Sequence, residues 1–309
     1  YDTEYTVNMP ILDYNELVTQ ATDTSEIKYV FSSWGMPALT SDEIKKYLPE
    51  LKAVFYAAGS VQHFAPVFLQ SGIRVFSAWA ANAIPVAEFS AAQIILANKG
   101  YFQLHNRYKQ NHKDAQKYAD GFYGNYGANV GLLGAGMIGR HVIQLLSVYK
   151  VNIKVFDPFL SELQAEKLGV QKASLDEIFE TCQTISNHLA NNEATRGMLT
   201  YPLFSKMCDH ATFINTGRGA QIVMDDLIQA MQDQPKRTAL LDVTDPIEPL
   251  PTYHIAWTLP NIFLTPHRAG SATEEIKRMG EFMISEYEKV VNNQETTYEI
   301  SLKMLDTMA

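Results

Sequence analysis

Short apolar runs alternate with helical patterns along the first third of the chain. The runs at 27–32, 53–57 and 73–77 are rich in β-branched and aromatic residues, and each has the length of a buried strand. The segments at 41–48 and 60–71 lie between them and have the apolar spacing of helices. This alternation predicts a small α/β unit in which helices join parallel strands.

A second α/β pattern occupies the rest of the chain. One long helix is predicted from about Pro85 to about Gln110, and we place the passage between two domains in the glycine- and tyrosine-rich loop that follows it. Beyond that loop, six short apolar runs alternate with further helical segments, which predicts a doubly wound parallel sheet. These runs lie at 128–133, 151–156, 184–187, 212–215, 238–243 and 262–265.

The composition is that of a folded protein with two domains. Its 309 residues are about twice the commonest domain size, and 46% of them are hydrophobic and 19% charged. The formal net charge of −9 leaves no broad cationic surface, so we expect neither nucleic acid nor a membrane surface as a partner. The longest uncharged stretch, 121–139, is too rich in glycine to predict a membrane span.

The cysteines and the first residues of the sequence bear on its compartment. Cys182 and Cys208 are too few for a disulfide framework and lack the spacing of metal ligands, so we expect free thiols. The sequence has no cluster of ligand residues that indicates a metal site, and no metal is expected. The chain opens without the charged and then apolar order of an export signal, which predicts a cytoplasmic protein.

A glycine-rich loop follows the first strand of the second unit and opens a helix. Its G-x-G-x-x-G spacing allows a tight turn and a close approach of the backbone to a pyrophosphate at the helix N-terminus. Asp157 ends the next strand, where a carboxylate can accept both ribose hydroxyls and repel a 2′-phosphate, so NAD is favoured over NADP. Other proteins use such a loop for FAD or nucleotide sugars, and the loop alone therefore names no reaction. The expected cofactor contacts in the loop are Gly134, Gly136, Met137, Ile138 and Gly139.

Three charged side chains follow the last three strands of the predicted sheet. Arg218, after the fourth strand, has a planar guanidinium that can bind a carboxylate and polarise the neighbouring carbonyl. Glu248 and His267 follow the fifth and sixth strands, and a histidine held by a carboxylate suits proton transfer to a ketone that becomes an alcohol. Each residue alone is equally well explained as an ion pair, a loop charge or a strand cap. Their shared sheet edge favours one site.

Together these segments resemble the D-isomer-specific 2-hydroxyacid dehydrogenases, a family that includes glycerate, glyoxylate/hydroxypyruvate and 3-phosphoglycerate dehydrogenases. The resemblance implies a Rossmann NAD-binding domain inserted into a smaller flavodoxin-like α/β substrate domain. We accordingly assign residues 1–98, completed by 281–309, to the substrate domain and residues 99–280 to the dinucleotide-binding domain. The resemblance covers nearly the whole chain and rests on the order and spacing of the segments 57–61, 82–88, 134–139 with 155–158, 214–219, 241–251 and 265–267.

The family resemblance implies an activity and a role for each candidate residue. It implies NAD-dependent interconversion of a small 2-keto acid and its D-2-hydroxy acid by a homodimer. Arg218 would bind the substrate carboxylate and keto oxygen, His267 would be the acid/base, and Glu248 would support it. Asp242 would contact the nicotinamide carboxamide. Further cofactor contacts are expected at His188 and Thr216, and backbone contacts to the substrate carboxylate at Ala58, Gly59, Ser60 and Val61, where Ser60 is alternatively a helix cap.

Two departures from the family pattern bear on these roles. Glu248 lies six residues after Asp242, whereas most relatives have five, and the inserted residue is Ile247. Unless the loop bulges, Glu248 would miss the histidine and Asp245 would become its partner. In addition, relatives usually have a proline two residues after the position of His188, and its absence makes a structural role for this histidine at least as reasonable as cofactor binding.

Two other functions are compatible with the same resemblance. An NAD(H)-sensing interaction protein of the C-terminal-binding corepressor type would bind NADH and assemble with little turnover. Oxidation of formate or phosphite uses the same scaffold, but a glutamine normally replaces the glutamate in formate dehydrogenases, so Glu248 argues against formate. The sequence does not identify the acid.

Overall fold

The computed structural model describes residues 14–19 and 23–305, and the chain divides into two compact units. The smaller unit contains the chain up to Ala81 and again from Ile276, and the larger unit contains Asn82–Glu275. The larger unit is therefore inserted into the smaller one, as the sequence predicts.

In the smaller unit, three parallel strands lie side by side in chain order, and a short antiparallel strand from the C-terminal part pairs with the third. The three predicted strands are confirmed to within two residues. The helix predicted at 60–71 begins only at Ala65, with Phe64 at its N-cap, so Ser60 is not its cap. The elements before the insertion are α1 (Tyr14–Thr19), β1 (Tyr29–Ser32), α2 (Ser41–Tyr47), β2 (Ala53–Tyr56), α3 (Ala65–Gln70) and β3 (Arg74–Ser77).

The larger unit is a doubly wound, seven-stranded parallel sheet. All six predicted strands are present, and a seventh strand of only two residues, too short to leave a pattern in the sequence, is added at one edge. The elements are α4 (Trp79–Asn98), α5 (Tyr101–Gln110), α6 (His112–Ala119), β4 (Asn129–Leu133), α7 (Met137–Leu146), β5 (Asn152–Phe156), α8 (Glu162–Leu168), β6 (Gln171–Lys172), α9 (Leu175–Thr181), β7 (Thr184–Asn187), α10 (Tyr201–Phe204), β8 (Thr212–Asn215), α11 (Met224–Asp233), β9 (Thr238–Leu241) and β10 (Ile262–Leu264).

Both faces of this sheet are covered by apolar side chains. Successive residues of a strand point to opposite faces, so Leu132 and Ile214 pack on one side of the sheet while their neighbours Leu133 and Phe213 pack on the other. This two-sided burial explains why the strands read as short continuous apolar runs instead of alternating patterns.

The helix α4 explains why the predicted domain boundary lies too late. Its side chains Ala87, Ala91 and Ile94 pack against the large sheet, so nearly all of the helix belongs to the larger unit. For this reason the observed boundary follows residue 81 and not residue 98, whereas the second one follows residue 275 and not residue 280. Among the described residues, α4 is also the only helix that is long and apolar enough to cross a membrane by length and composition alone. Its most apolar stretch of 18 residues has a mean hydropathy of 1.3, and half of that stretch is buried in the protein.

The single long helix predicted from Pro85 to Gln110 is wrong. Pro85 lies inside α4, which ends at Asn98, and α5 begins at Tyr101. Gly100 lies between the two helices and has a φ of 69°. A Cβ at Gly100 would lie 2.4 Å from the ring of Phe122, so only glycine fits this turn.

The C-terminal part of the chain completes the smaller unit. Its elements are α12 (Glu274–Val291), β11 (Glu299–Ile300) and α13 (Leu302–Leu305). Glu286 of α12 is fully buried, and its carboxylate accepts hydrogen bonds from the N–H groups of Thr297 and Tyr298 and from the Lys289 ammonium. Arg74 of β3 binds Glu299 through two hydrogen bonds of 2.9 and 2.6 Å. These charge pairs fix the returning strand. Residues 1–13, 20–22 and 306–309 of the predicted substrate domain lie outside the described residues.

The packing of α9 on β4 gives a stability prediction. A Cβ at Gly131 would lie 2.4 Å from Cγ2 of Ile178 and 3.2 Å from Sγ of Cys182. Gly131→Ala should therefore lower the free energy of unfolding by about 1–3 kcal/mol, measured by urea denaturation. Gly280→Ala in α12, where a Cβ meets no atom within 4 Å, is the control and should leave stability unchanged or slightly raised. Equal stability of the two variants would contradict this packing.

Candidate active site

The parallel sheet of the larger unit brings the loops after all seven strands to one edge. Its strands lie in the order β10-β9-β8-β7-β4-β5-β6, and because neighbouring strands are parallel, the loops that follow them leave at the same carboxyl end. The strand order reverses between β4 and β7, and α/β folds bind ligands at such points. The predicted cofactor contacts follow β4, β5 and β7, with Thr216 directly after β8 and Asp242 directly after β9. Arg218, Glu248 and His267 lie in the loops after β8, β9 and β10.

The glycine loop between β4 and α7 has the shape of a phosphate cradle. Gly134 has a φ of 97°, and a Cβ there would lie 2.6 Å from the carbonyl oxygen of His188. A Cβ at Gly139 would lie 2.2 Å from the carbonyl oxygen of Gly134, so both positions require glycine. At Gly136, by contrast, a Cβ meets no atom within 4 Å, and no side chain caps the start of α7. Open space in front of an uncapped helix N-terminus fits a pyrophosphate.

Asp157 is held beside this cradle. Its Oδ2 accepts the Ala135 N–H at 2.7 Å, and its Oδ1 accepts the Phe159 N–H at 2.8 Å. The two backbone donors fix the carboxylate at the end of β5, the position at which a dinucleotide fold binds the adenosine ribose. In the loop itself, Met137 is partly exposed and Ile138 packs against the core.

His188 and Thr216 are held by neighbouring side chains. The Nε2 of His188 lies 2.9 Å from Oγ of Ser186, whereas its Nδ1 is buried without a partner among the described residues. Burial lowers the pKa of His188 to about 4, so its imidazole is neutral at physiological pH. The Thr216 hydroxyl lies 2.9 Å from that of Ser90 in α4. The cofactor contacts of both residues stay predictions.

Arg218 is a largely buried cation. Its Nη1 donates to the carbonyl oxygen of Gly217 at 2.9 Å, the only hydrogen bond of the guanidinium to a described residue. Burial lowers the pKa of Arg218, and the charge of Glu248 acts in the opposite direction. Gly219 lets the two loops approach, because a Cβ there would lie 2.2 Å from the carbonyl carbon of Thr244. A desolvated guanidinium with further donors is suited to bind a carboxylate.

Glu248 and His267 are brought together despite the inserted residue. Glu248 Oε1 and His267 Nδ1 are 2.6 Å apart. The loop bulges to absorb Ile247, whose carbonyl oxygen accepts the Thr244 hydroxyl at 2.8 Å and whose side chain is 54% exposed. The Thr244 N–H donates to Glu248 Oε2 at 3.1 Å and so fixes the carboxylate. The partner of His267 is therefore Glu248, and the alternative partner Asp245 is not used.

Asp242 anchors the turn that carries His267. Its buried carboxylate accepts the Thr265 hydroxyl at 2.5 Å and the N–H groups of Arg268 and Ala269 at 2.8 Å each. His267 has a φ of 52°, in the left-handed region, and its N–H donates to the carbonyl oxygen of Asp242 at 3.1 Å. This anchoring was not predicted. The predicted contact of Asp242 with the nicotinamide carboxamide stays a prediction.

Three buried amide side chains near the ends of β7 and β8 were missed by the sequence analysis. Asn187, Asn215 and Gln221 are 0% exposed and hydrogen-bonded to one another. Asn187 and Asn215 each end an apolar run, and a polar residue at the last position of a buried strand is the one signal that could have found them.

In the smaller unit, the segment predicted to bind the substrate carboxylate follows β2. Ala58 and Val61 are buried, and the Ser77 hydroxyl lies 3.0 and 2.6 Å from the carbonyl oxygens of Ala58 and Gly59. The backbone of this segment is thus fixed by a side chain of β3. The substrate contacts of Ala58, Gly59, Ser60 and Val61 stay predictions.

Comparison with known proteins identifies the family. The model of the NAD-binding domain of D-isomer specific 2-hydroxyacid dehydrogenases matches residues 91–269, more than half of the chain. The chain therefore belongs to this family, and its cofactor is NAD. The comparisons do not support the alternative of an NAD(H)-sensing corepressor.

Three relatives illustrate the range of the family. The chain is 28% identical to a D-3-phosphoglycerate dehydrogenase of Methanocaldococcus jannaschii over 83% of its own length and 48% of the relative. It is 33% identical to glyoxylate/hydroxypyruvate reductase A of Serratia proteamaculans over 45% of its length and 44% of the relative. Each match thus spans less than half of the relative's own length. The structure of D-mandelate dehydrogenase from Rhodotorula graminis superposes with a TM-score of 0.79 over 93% of this chain and 86% of that one, at 16% identity, which shows the shared fold.

The open space at Gly136 gives a binding prediction. Gly136 has φ −70° and ψ −161°, which any residue can adopt, so Gly136→Ala should change the free energy of unfolding by less than about 0.5 kcal/mol. The added methyl group would fill the space left for the pyrophosphate, and we expect NADH affinity to fall at least about tenfold in a fluorescence titration. Gly280→Ala serves as the control. Wild-type affinity in Gly136→Ala would contradict the cradle.

The buried, neutral His188 gives a prediction for stability against pH. Its pKa is about 4 in the folded protein and ordinarily about 6.5, so below pH 6.5 the unfolded chain binds a proton that the folded chain does not. The free energy of unfolding should therefore fall by up to about 3 kcal/mol between pH 6.5 and 4. His188→Gln should show a shallower fall, measured by urea denaturation, whereas the exposed His112→Gln should match wild type. If the free energy of unfolding fell equally with pH in wild type and in His188→Gln, the lowered pKa of His188 would be refuted.

Proposed function

We propose that this protein is an NAD-dependent D-2-hydroxyacid dehydrogenase that reduces a small 2-keto acid, or oxidises the corresponding D-2-hydroxy acid. The observation that carries the proposal is the hydrogen bond of 2.6 Å between Glu248 and His267, in loops next to the partly buried Arg218 at one sheet edge. This set supplies a proton donor, a carboxylate that orients it and a cation for the substrate.

Arg218 binds the substrate in this proposal. Its guanidinium is partly buried and makes one hydrogen bond to a described residue, so further donors are left for a substrate carboxylate. A planar fork of N–H donors can hold the carboxylate and the adjacent keto oxygen together, which polarises the carbonyl. A lysine at this position would supply the charge without the fork.

His267 moves the proton. Its Nδ1 is held by Glu248, so the ring is fixed with Nε2 left for the substrate, and the imidazolium that donates the proton is stabilised by the adjacent negative charge. The glycine loop and Asp157 would hold NADH, which would supply the hydride for the carbonyl carbon. The proton from His267 goes to the carbonyl oxygen, which gives the hydroxyl group of the product. Asp242 keeps the His267 turn in place throughout.

The substrate class rests on the relatives and on Arg218. A glyoxylate/hydroxypyruvate reductase and a D-3-phosphoglycerate dehydrogenase both act on small acids, as their names state. We therefore propose a 2-keto acid with a free carboxylate and test it by NADH oxidation at 340 nm across glyoxylate, hydroxypyruvate, pyruvate, 3-phosphohydroxypyruvate and branched 2-keto acids, with NADPH in parallel. We also propose a homodimer, from the resemblance, and a cytoplasmic location, from the two free thiols Cys182 and Cys208.

The Glu248–His267 pair gives a kinetic prediction. His267→Ala should lower kcat about 10²- to 10⁴-fold with the best keto acid, because the proton donor is lost. Glu248→Gln should lower kcat about 10- to 100-fold, since it keeps a hydrogen-bonding group but removes the charge that stabilises the imidazolium. Asp245→Asn is the matched control in the same loop and should turn over like wild type. Loss of activity in Asp245→Asn with normal activity in Glu248→Gln would reverse the assignment.

A further inference from the structure

Asn187, Asn215 and Gln221, here called the amide cluster, lie directly beneath the loop that carries Arg218. All three side chains are 0% exposed. Buried amides cost free energy unless their donors and acceptors are paired, so the partners of this cluster indicate what it stabilises.

Gln221 is paired at both ends of its side chain. Its Oε1 accepts the Arg218 N–H at 3.3 Å and the Asn187 Nδ2 at 2.5 Å. Its Nε2 donates to the carbonyl oxygens of Leu189 and Ala190, at 2.8 and 2.9 Å. One side chain thus connects the loop after β8 with the loop after β7. Ala190 occupies the position two residues after His188 at which relatives usually have a proline.

The backbone of Arg218 is held from both sides by the cluster. Its N–H donates to Gln221, and its carbonyl oxygen accepts the Asn215 Nδ2 at 3.0 Å. Asn215 Oδ1 in turn accepts the Gly217 N–H at 3.1 Å and the Asn187 Nδ2 at 3.0 Å. The peptide groups on both sides of the Arg218 Cα are therefore hydrogen-bonded to side-chain amides, and these groups determine the direction in which the arginine side chain leaves the backbone.

We infer that Gln221 is a positioning residue for Arg218. The inference rests on the proposed function, in which the guanidinium binds the substrate carboxylate and keto oxygen. The Arg218 guanidinium is partly buried and makes one hydrogen bond to a described residue, so few contacts of its own orient it. Its direction therefore depends on the backbone of residue 218, which the amide cluster holds. Gln221 contacts the backbone of Arg218, and among the described residues it makes no hydrogen bond to His267 or Glu248.

The fold allows the amide to be removed without displacing the chain. The Leu199 N–H donates to the Gln221 carbonyl oxygen at 2.9 Å, and Leu199 and Ile222 form a parallel bridge. The path of the backbone at residue 221 is therefore fixed independently of the side chain. Gln221→Met keeps the size of the side chain and removes its hydrogen bonds.

Gln103 offers a matched control elsewhere in the larger unit. It is 6% exposed, its Nε2 donates to the carbonyl oxygen of Lys236 at 2.9 Å and to the Thr238 hydroxyl, and its Oε1 accepts the Tyr118 hydroxyl. Gln103→Met removes a comparable set of buried hydrogen bonds and makes no change near Arg218. Any general effect of losing a buried amide will appear in both variants.

The experiment compares the two variants by kinetics and by binding of oxamate, an unreactive 2-keto acid analogue, to the protein with NADH. Gln221→Met should lower kcat/KM about 10- to 100-fold, chiefly by raising KM, and should weaken oxamate to a similar extent, with NADH affinity within about threefold of wild type. Gln103→Met should match wild type in all three. Equal behaviour of the two variants, or a loss confined to NADH affinity, would overturn the inference.

A double-mutant cycle separates positioning from a merely structural role. In an Arg218→Lys background there is no guanidinium to aim, so adding Gln221→Met should change kcat/KM and oxamate affinity less than about twofold. Effects that multiply in the double variant would refute the inference. If the wild-type protein neither reduces a keto acid nor binds oxamate, the proposed function is refuted. This outcome needs no variant, so it can be distinguished from failure of the inference about Gln221.

Discussion

The site depends on one constraint: backbone groups at the carboxyl edge of the large sheet that are turned away from water must still be hydrogen-bonded. The chain meets it with polar side chains placed at the last residue of a strand or just beyond it. Asn187 serves the loop after β7, Asn215 the loop after β8 and Asp242 the turn after β10. Each of these side chains is buried, so it has no water to compete for its hydrogen bonds. Buried side chains therefore hold backbone groups of both the Arg218 loop and the His267 turn.

The same burial sets the charges of the site. His188 is neutral because its imidazole is desolvated, whereas Arg218 keeps a charge that the surroundings do little to solvate. The pair Glu248 and His267, by contrast, is partly exposed. In the proposed function, Arg218 supplies a partly buried cation for the anionic substrate and His267 an accessible acid for its carbonyl.

The sequence predicts those features that local chemistry decides. The strands, the glycine loop and the order of the charged residues follow from runs of apolar residues and from turn glycines, which act within a few positions. It does not predict that α4 joins the larger unit, because Ala87 and Ile94 look the same whichever sheet they pack on. Nor does it predict the roles of Gln221 and Asp242, since their partners come from different loops and only the folded sheet brings them together. The bulge at Ile247 likewise depends on a contact made after folding.

The handedness of the product tests the account most directly. Purified protein would be supplied with NADH and pyruvate or hydroxypyruvate, and the hydroxy acid would be resolved by chiral chromatography while NADH consumption is followed. The account predicts the D enantiomer, formed in equal amount to the NADH consumed. Formation of the L enantiomer or of a racemate, or tight NADH binding without any product from either acid, would contradict it.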